Sequence, residues 1–591
     1  MKKYRESIMK VVFLVAACVS ILAVVLICGF LFVNGFPAIA EIGPLKFLTG
    51  VIWKPQEGEF GIFPMIIGSI YATGIAILVG VPIGLLCSVF MARFCPQKLY
   101  KILKPAISLL AGIPSIVYGF FGLVVIVPIM QSIFGVGKSV LTAGILLGIM
   151  ILPTIIEISE SAIRAVPNSY YEGSLALGAT HERSVYCATL PAAKSGIMAG
   201  IILGIGRAIG ETMAVVMIAR TEHVEHDRRQ PDCDPQEPAV RCPHHDSEYR
   251  YGNGLCNRPA PRSTDRYRRG IVRLYPADQC LLLAGEEKGA EMNVENTAKI
   301  VGINHQTFRQ KMASYKRHPG SLVVLLLTIL AAVITAGVLL SLIVYIVVMG
   351  VPNIRLSMFA WKYTTENCSM LPSILNTLMM TVLTLVIAVP IGAFSAIYLV
   401  EYSNRGSKFQ MTLVKIIRMT TETLQGIPSI VFGLFGFLAF AVTCKFSYSL
   451  LGGAITMALM VLPLIMRTTE EALLSVPDSY REGSFGLGAG RLRTIFRIIL
   501  PSAVPGILAG IILAVGRIVG ETAALMYTAG TSTDVCTGFL KPCRTLAVHM
   551  YQLLCEGKYM GAAYATAVVL LVMVILINAL SGYVAKKLTK K

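Results

Sequence analysis

The sequence is poor in charge and lacks the motifs of several common enzyme classes. Only 14% of its 591 residues are charged, whereas a soluble protein carries about 25%. It contains no G-x-x-x-x-G-K-[ST], no H-E-x-x-H and no G-x-S-x-G motif. We therefore expect no ATP binding through a P-loop and find no sign of a metalloprotease or serine hydrolase. Energy for any work must come from a partner.

Apolar residues are abundant and fall into long runs. The chain is 55% hydrophobic with a mean hydropathy of +0.69, and several runs exceed the roughly 20 residues that a membrane-spanning helix needs. The sequence therefore predicts a multi-pass membrane protein. The predicted spans are 11–33, 65–93, 106–131, 139–161, 195–218, 322–349, 372–400, 414–443, 450–467, 505–527 and 561–585.

Basic residues set the expected orientation. They precede the first run and the sixth one, at Lys2, Lys3 and Arg5 and again at Lys311, Lys316 and Arg317. Such residues favour the cytoplasmic side, so both segments should start in the cytoplasm. The net charge of +19 is explained by orientation, without nucleic acid as a partner.

The chain contains an internal repeat. The repeated segments are AVPNSYYEGSLALGAT (165–180) with SVPDSYREGSFGLGAG (475–490), GIMAGIILGIGRAIGET (196–212) with GILAGIILAVGRIVGET (506–522), and GIPSIVYGFFG (112–122) with GIPSIVFGLFG (426–436). We therefore divide the chain into a first half (1–218), a polar segment (219–291) and a second half (292–591).

The first half is one predicted span short. Five spans against six would place the repeated loops on opposite membrane faces. We therefore hypothesise a reading-frame error in the polar segment, because STDRYRRGIVRLYPADQC (263–280), read one nucleotide later, permits ALIATGVVLFVFILLINA. That product is similar to YATAVVLLVMVILINAL (564–580). Met292 would then start a separate protein.

Two other interpretations of the polar segment stay open. One is a disordered linker. The other is a zinc site, although its spacing fits no standard pattern; the candidates are Cys233, Cys242, His244, His245 and Cys256.

The loop after the fourth span of each half carries the most specific motif. Glu172-Gly173-Ser174 is followed by Gly178 and Leu190-Pro191. The pattern resembles the EAA signature of ABC importer permeases, with Gly-Ser in place of Ala-Ala. The resemblance implies a short cytoplasmic helix that docks on an ATPase, whereas the alternative is an ordinary interfacial helix. The residues implied are Glu172, Gly173, Ser174, Gly178, Pro191, Glu482, Gly483, Ser484, Gly488 and Pro501.

The fifth span of each half carries charges, at Arg207 and Glu211 and at Arg517 and Glu521. Residues four apart share a helical face and can pair. A charge at the bilayer centre costs about 2.5–3.5 kcal/mol on insertion scales, so these groups should face protein or a pathway. In one interpretation the arginines help an anion to pass and the glutamates moderate their charge. In the other, each pair only holds helices together.

GIGRAIGETMAV and GIPSIVYGFFGL resemble the permease subunits of the bacterial phosphate importer. The resemblance covers most of the chain and implies an all-α polytopic fold with two type I ABC importer bundles of about six helices each. It also implies a channel for inorganic phosphate in the bacterial inner membrane. The expected partners are an ABC ATPase dimer, an extracytoplasmic phosphate-binding protein and the lipid bilayer. We expect no cofactor and no metal in this chain, since the partner uses the ATP.

Three alternative functions stay open. The substrate could be another oxyanion, such as sulfate or molybdate, which would also suit arginine donors. An ion-coupled secondary transporter would not need the repeated loop and commonly has inverted repeats. A membrane enzyme would need a catalytic constellation that the charged pairs do not supply.

Smaller features predict packing. Small residues four apart allow close helix contact, at Gly206, Gly210, Gly516 and Gly520. Prolines inside the predicted spans should kink helices, at Pro114, Pro153, Pro428 and Pro463. Cys536 and Cys543 lie in a polar loop, either as a disulfide or as two free thiols.

Overall fold

A computed structural model describes residues 2–219, 319–402, 408–557 and 559–589. The hypotheses on the polar segment, including the zinc candidates, lie outside the described residues.

The described part of the chain is almost entirely helical, as expected where lipid offers the backbone no hydrogen bonds. The first half contains α1 (Lys2–Ile42), α2 (Phe63–Val89), α3 (Gln97–Ala111), α4 (Ser115–Phe121), α5 (Val127–Phe134), α6 (Val140–Ala165), α7 (Asn168–Ala176), α8 (Lys194–Gly210) and α9 (Met213–Ala219). Short helices occupy Pro44–Thr49, His181–Ser184 and Leu190–Ala192, and a small hairpin pairs β1 (Trp53–Lys54) with β2 (Glu59–Phe60).

The second half repeats this order and extends it. It contains α10 (Pro319–Gly350), α11 (Leu371–Ile397), α12 (Lys408–Gly426), α13 (Ser429–Gly436), α14 (Leu450–Leu474), α15 (Asp478–Gly486), α16 (Leu500–Gly520), α17 (Ala523–Thr528), α18 (Leu546–Glu556) and α19 (Met560–Thr589). A short helix at Arg491–Thr494 precedes α16. Three π-helical turns recur at matching places in each half, at Phe90–Phe94, Gly122–Ile126 and Val185–Thr189 and at Tyr398–Tyr402, Phe437–Thr443 and Ile495–Ile499.

Within the described residues, nine helices are long and apolar enough to cross a membrane. Two bent pairs raise the number to as many as eleven if each is one span. The predicted all-α polytopic fold is confirmed.

Two predicted spans are interrupted at prolines, and the expected kinks at Pro114 and Pro428 are wrong. Each of these prolines is extended, with ψ of 141° and 144°, and immediately precedes a new helix. The two helices on either side of Pro428 meet at a bend of 102°. The reason is local, because proline has no N–H for a helix ladder and its φ suits the start of the next helix. Pro153 and Pro463 do lie inside helices, α6 and α14.

The first helix of each half packs on the other half. Helix α1 lies against α11, α12 and α14, whereas α10 lies against α2 and also against α19 of its own half. Near its start α10 is fixed by Ser321, whose hydroxyl donates to Glu182 at 2.8 Å. Phe13 of α1 packs in turn against Phe394 of the second half, with ring centroids 5.3 Å apart. The sequence analysis did not predict this exchange.

Glycines join the two halves symmetrically. A methyl group built at Gly520 would lie 3.1 Å from Cα of Pro114, and one at Gly210 would lie 3.5 Å from Cα of Pro428. The end of α8 therefore meets the helix break of the second half, and the end of α16 meets the corresponding break of the first. Equivalent points of the two halves therefore lie side by side, in a symmetric arrangement.

One face of α8 is uncovered. Ile209 is 60% exposed, whereas its repeat counterpart Val519 is 1% exposed. The difference arises because α19 packs on α16, and the described residues of the first half contain no equivalent of α19.

Candidate translocation site and docking helices

The four predicted pathway charges lie where two helices end. Helix α8 ends at Gly210 and α16 at Gly520, and the next residues, Glu211 and Glu521, have ψ values of 122° and 133°. The prediction that each arginine and glutamate share one helical face is therefore wrong. A Gly-Glu-Thr sequence breaks each helix, because glycine is a poor helix former and the glutamate adopts an extended backbone.

Each glutamate turns toward the short helix that follows it. One carboxylate oxygen of Glu211 accepts the backbone N–H of Ala214 at 3.3 Å, and Glu521 accepts that of Ala524 at 3.2 Å. A negative charge is stabilised at a helix amino terminus, where backbone N–H groups are unpaired. The repeat therefore holds the two carboxylates in the same way.

The fold brings the four charges of both halves into one cluster. Arg517 interacts electrostatically with Glu521 and also with Arg207 and Glu211 of the other half. Arg207 donates from Nη1 to the Thr154 hydroxyl at 3.0 Å. All four side chains are partly exposed.

No tight ion pair closes the cluster. None of the ion pairs within 4.0 Å in the described residues involves Arg207, Glu211, Arg517 or Glu521. The arginines therefore keep N–H groups that an anion can use, while two carboxylates balance their charge.

Close packing surrounds this cluster at three of the four predicted glycines. Besides Gly210 and Gly520, a methyl group at Gly516 would lie 3.5 Å from Cα of Gly112. Gly206 faces open space, with nothing within 4 Å. The contact between the halves thus involves the second glycine of both Gly-xxx-Gly patterns and the first glycine of the pattern in the second half.

The repeated loops form two matching surface helices, α7 and α15. Each ends in a Schellman motif, in which the N–H of Ala179 bonds to the Ser174 carbonyl at 3.2 Å and that of Ala489 bonds to Ser484 at 3.1 Å. The residue before each alanine is glycine, with φ of +84° at Gly178 and +77°. That conformation is costly for residues with a side chain and common for glycine at a helix end.

The remaining docking residues surround this turn. Glu172 and Glu482 are exposed, as are Gly173 and Gly483, which have nothing within 4 Å of a Cβ position. Ser174 is partly buried. Ser484 is buried, with its hydroxyl 2.8 Å from that of Thr494.

Sequence reasoning missed the most exposed apolar residues of these helices. Leu177 is 90% exposed and Leu487 is 91% exposed. Tyr170 and Tyr480 are also exposed at matching positions. Large apolar side chains at such exposure favour contact with a protein partner. The sequence did contain a signal for these residues, because a leucine precedes the turn glycine in both copies of the repeated loop.

Each surface helix is fixed to the end of the second span of its half. In the second half, Arg481 donates from Nε and Nη2 to Glu401 at 3.0 and 2.9 Å. In the first half the arginine is on the span instead, where Arg93 donates to Asn168 at 3.2 Å and stacks on Tyr171 at 5.8 Å. The two halves therefore use one anchor position with exchanged partners.

The predicted prolines lie where each loop leads into a span. Pro191 is in the short helix before α8, and the chain bends by 74° between the two. Pro501 is in the first turn of α16, where a missing N–H costs no helix hydrogen bond. Movement of the surface helices can thus reach the helices that carry Arg207 and Arg517.

Cys536 and Cys543 are free, buried thiols. Burial raises the pKa of Cys543 to about 12, and the neighbouring Cys536 thiol contributes in the same direction. The structure therefore has this pair in its reduced form.

Comparison with known proteins identifies the family. Residues 80–224 and 388–590 match the family described as binding-protein-dependent transport system inner membrane component. Among its relatives, the probable ABC transporter permease protein YqgH of Bacillus subtilis is 40% identical over 213 residues, which are 35% of this chain and 69% of the relative. The phosphate transport system permease protein PstA homolog of Mycoplasma pneumoniae is 25% identical over 604 positions, covering 92% of this chain and 90% of the relative.

A third relative matches a single half. The phosphate transport system permease protein PstC of Mesorhizobium japonicum is 34% identical over 230 residues, 34% of this chain and 69% of the relative. The family matches the chain twice, over more than half of its length, and the spans agree with an inner-membrane location. The chain therefore belongs to the inner-membrane components of binding-protein-dependent transport systems and carries two permease domains of that family.

Proposed function

We propose that this chain is the transmembrane channel of an ATP-driven importer of inorganic phosphate. The observation that carries the proposal is the cluster of Arg207, Glu211, Arg517 and Glu521, to which the two halves contribute equivalently. The names of the relatives from Mycoplasma and Mesorhizobium support phosphate as the substrate.

The cluster suits a permeating oxyanion better than a stored one. Two guanidinium groups supply N–H donors in the planar arrangement that phosphate oxygens accept. Two carboxylates beside them lower the net positive charge, so that the anion is attracted without being held. Conduction requires binding that is favourable enough for entry and weak enough for release.

Energy is supplied by partners that dock on α7 and α15. An ABC ATPase dimer receives these helices, with Leu177 and Leu487 as apolar contacts and Glu172 and Glu482 as charged ones. Closure of the dimer moves both helices, and the anchors at Arg93 and Arg481 transmit the movement to the spans. ATP is used by the partner, so this chain needs no cofactor of its own, and a phosphate-binding protein delivers the anion from outside.

Uptake of radiolabelled phosphate into proteoliposomes tests the pathway. We expect Arg207→Gln and Arg517→Gln each to lower uptake at least tenfold, because each removes donors that no neighbour replaces. Arg467→Gln is the matched control, since Arg467 pairs with Glu471 on an exposed surface. Unchanged uptake in both pathway variants contradicts the proposed route. Competition with sulfate and molybdate measures whether phosphate is the preferred substrate.

Docking is tested separately by the ratio of phosphate imported to ATP hydrolysed. We expect Glu172→Ala and Glu482→Ala to lower this ratio, and Leu487→Asp to weaken capture of the ATPase because it removes the exposed apolar contact. Variants that keep both the ratio and the ATPase affinity of the unaltered protein would remove the docking role from these helices.

A further inference from the structure

A second group of buried polar side chains lies at the other end of the second half from α15. Helix α16 leads away from the loop helices, and the segment 534–549 follows it in the chain before α19 returns. In the predicted orientation this group is therefore extracytoplasmic. It is separate in sequence from the Arg207 and Arg517 cluster.

Arg544 is the central residue of this group. Its side chain is 3% exposed, Nη1 donates to Gln552, and Cζ lies 4.8 Å from the centre of the Tyr363 ring, whose phenol also interacts with it. Apart from the hydrogen bond of the guanidinium with the Tyr363 phenol, Nε and Nη2 are buried without a partner among the described residues. No ion pair of the described residues includes this arginine, and Glu556 acts on it only from beyond 4.0 Å. A buried cation without a counter-charge is unfavourable.

Further buried polar groups lie beside Arg544. The Thr545 hydroxyl is buried and makes no hydrogen bond among the described residues. The buried His549 ring interacts with the backbone of Cys368 and has no side-chain hydrogen-bond partner there. The His549 ring packs edge-on against Tyr363 at 6.1 Å, the same ring that covers Arg544. The hydroxyl of Ser373, on the first turn of α11, is likewise buried and unpaired.

The backbone around this group is held in place by Asn376. Its Nδ2 donates to the carbonyls of Asp534 at 2.9 Å and Arg544 at 3.3 Å, and its Oδ1 accepts from the N–H of Cys536 at 2.9 Å. At the next residue of α11, the Thr377 hydroxyl accepts the N–H of Leu546 at 2.9 Å. The donors are therefore fixed before any ligand arrives, which is what a selective site requires.

We propose that Arg544 and Thr545, with the His549 ring beside them, form a binding site for a tetrahedral oxyanion on the extracytoplasmic side of the second half. The two buried nitrogens, Nε and Nη2, form one edge of the guanidinium, and that edge matches two oxygens of an oxyanion. The Thr545 hydroxyl adds a donor for a third oxygen, which a carboxylate lacks. The site rests on the proposed function only in the choice of phosphate as the probe.

Equilibrium binding of radiolabelled phosphate to the full chain in nanodiscs tests the site without ATPase or binding protein. The starting protein carries Arg207→Gln and Arg517→Gln, so that the pathway cluster is absent. We expect it to bind one phosphate per chain and Arg544→Gln, added to it, to weaken binding at least tenfold. Arg544→Lys should restore binding only in part, because an ammonium cannot offer two parallel donors.

Two further measurements separate binding from folding. Thr545→Val, which keeps the side-chain shape, should weaken phosphate binding, and phosphate should raise the unfolding temperature of the starting protein but not of the Arg544→Gln variant. Glu556→Gln should tighten binding, because it removes a competing negative charge. The proposal is overturned if the starting protein binds no phosphate, if Arg544→Gln leaves binding unchanged, or if acetate displaces phosphate at equal concentration. Loss of this site with normal uptake through Arg207 and Arg517 would leave the importer proposal intact.

Discussion

The anchor between Arg481 and Glu401 gives the sharpest prediction about how movement passes from α15 to the spans. Two guanidinium nitrogens donate to one carboxylate oxygen at 3.0 and 2.9 Å, and the two side chains are only 14% and 5% exposed. Removing one partner of a buried pair costs about 3–5 kcal/mol. In a Glu401→Gln protein, Arg481 would still donate hydrogen bonds to the carbonyls of Leu473 and Val476. We therefore expect a loss of stability of about 3 kcal/mol, at the lower end of that range.

A loss of about 3 kcal/mol changes an equilibrium roughly 100-fold. We therefore expect the Glu401→Gln protein to hydrolyse ATP with its partner while importing far less phosphate per ATP. Its unfolding temperature in detergent should also fall. Exchanging the two charges, in a Glu401→Arg and Arg481→Glu protein, should recover part of both properties.

The control is an ion pair of the same chemistry on an exposed surface. Arg467 and Glu471 lie one helical turn apart at 3.1 Å, and exposed pairs of this kind contribute about 0.3–0.5 kcal/mol. Glu471→Gln should therefore leave both coupling and stability near those of the unaltered protein. If Glu401→Gln behaves like Glu471→Gln in both assays, the anchor does not transmit movement.

Three further predictions concern packing, pH and the gene. Gly520→Ala should lower the free energy of unfolding by about 1–3 kcal/mol, because the added methyl group would press on the backbone of Pro114. Gly206→Ala is the control, since its methyl group would face open space and should not lower stability. Equal unfolding temperatures for the two variants would contradict the close contact at Gly520. Burial and then the Arg544 charge lower the pKa of His549 from 6.5 to about 3, so in phosphate-free buffer the unfolded chain binds a proton first as pH falls. Stability should decrease between about pH 6.5 and 3, by up to about 1.4 kcal/mol per unit, and His549→Gln should remove that slope. Sequencing across codons 215–295 should reveal a frame change that restores an apolar helix, and an intact frame refutes the hypothesis.

The sequence was sufficient for the architecture because the signals were long and repeated. Runs of about 20 or more apolar residues are specific for membrane spans, and two copies of one loop helix identified α7 and α15 as a pair. Gly178 and Gly488 also adopt the positive φ that glycine commonly has at the end of a helix.

The sequence was insufficient wherever a helix stops without losing its apolar character. Glu211 and Glu521 follow continuous hydrophobic runs, so hydropathy alone predicted that the helix continued through them. The same is true before Ser115 and Ser429, where the chain breaks at a Gly-Ile-Pro sequence that a kinked helix would also tolerate. The four charged side chains meet at one place because of contacts between the halves, and no local sequence pattern encodes such contacts.

The exposed face of α8 gives a structural reason for the hypothesis of a reading-frame error. Ile209 lies open to lipid or to a missing neighbour, whereas Val519 is covered by α19. An additional apolar helix in the first half would cover the matching surface. The hypothesis stays a prediction until the gene is sequenced.

Helices α1 and α10 each cover part of the other half, although α10 also packs on α19 of its own half. Each half therefore completes its packing only when the other has reached the membrane, since one of its covering helices is supplied from across the interface. If the halves are made as two polypeptides, an orphan would be left with an open flank that membrane proteases and chaperones can recognise. Matched production of the two halves would then be enforced by folding itself.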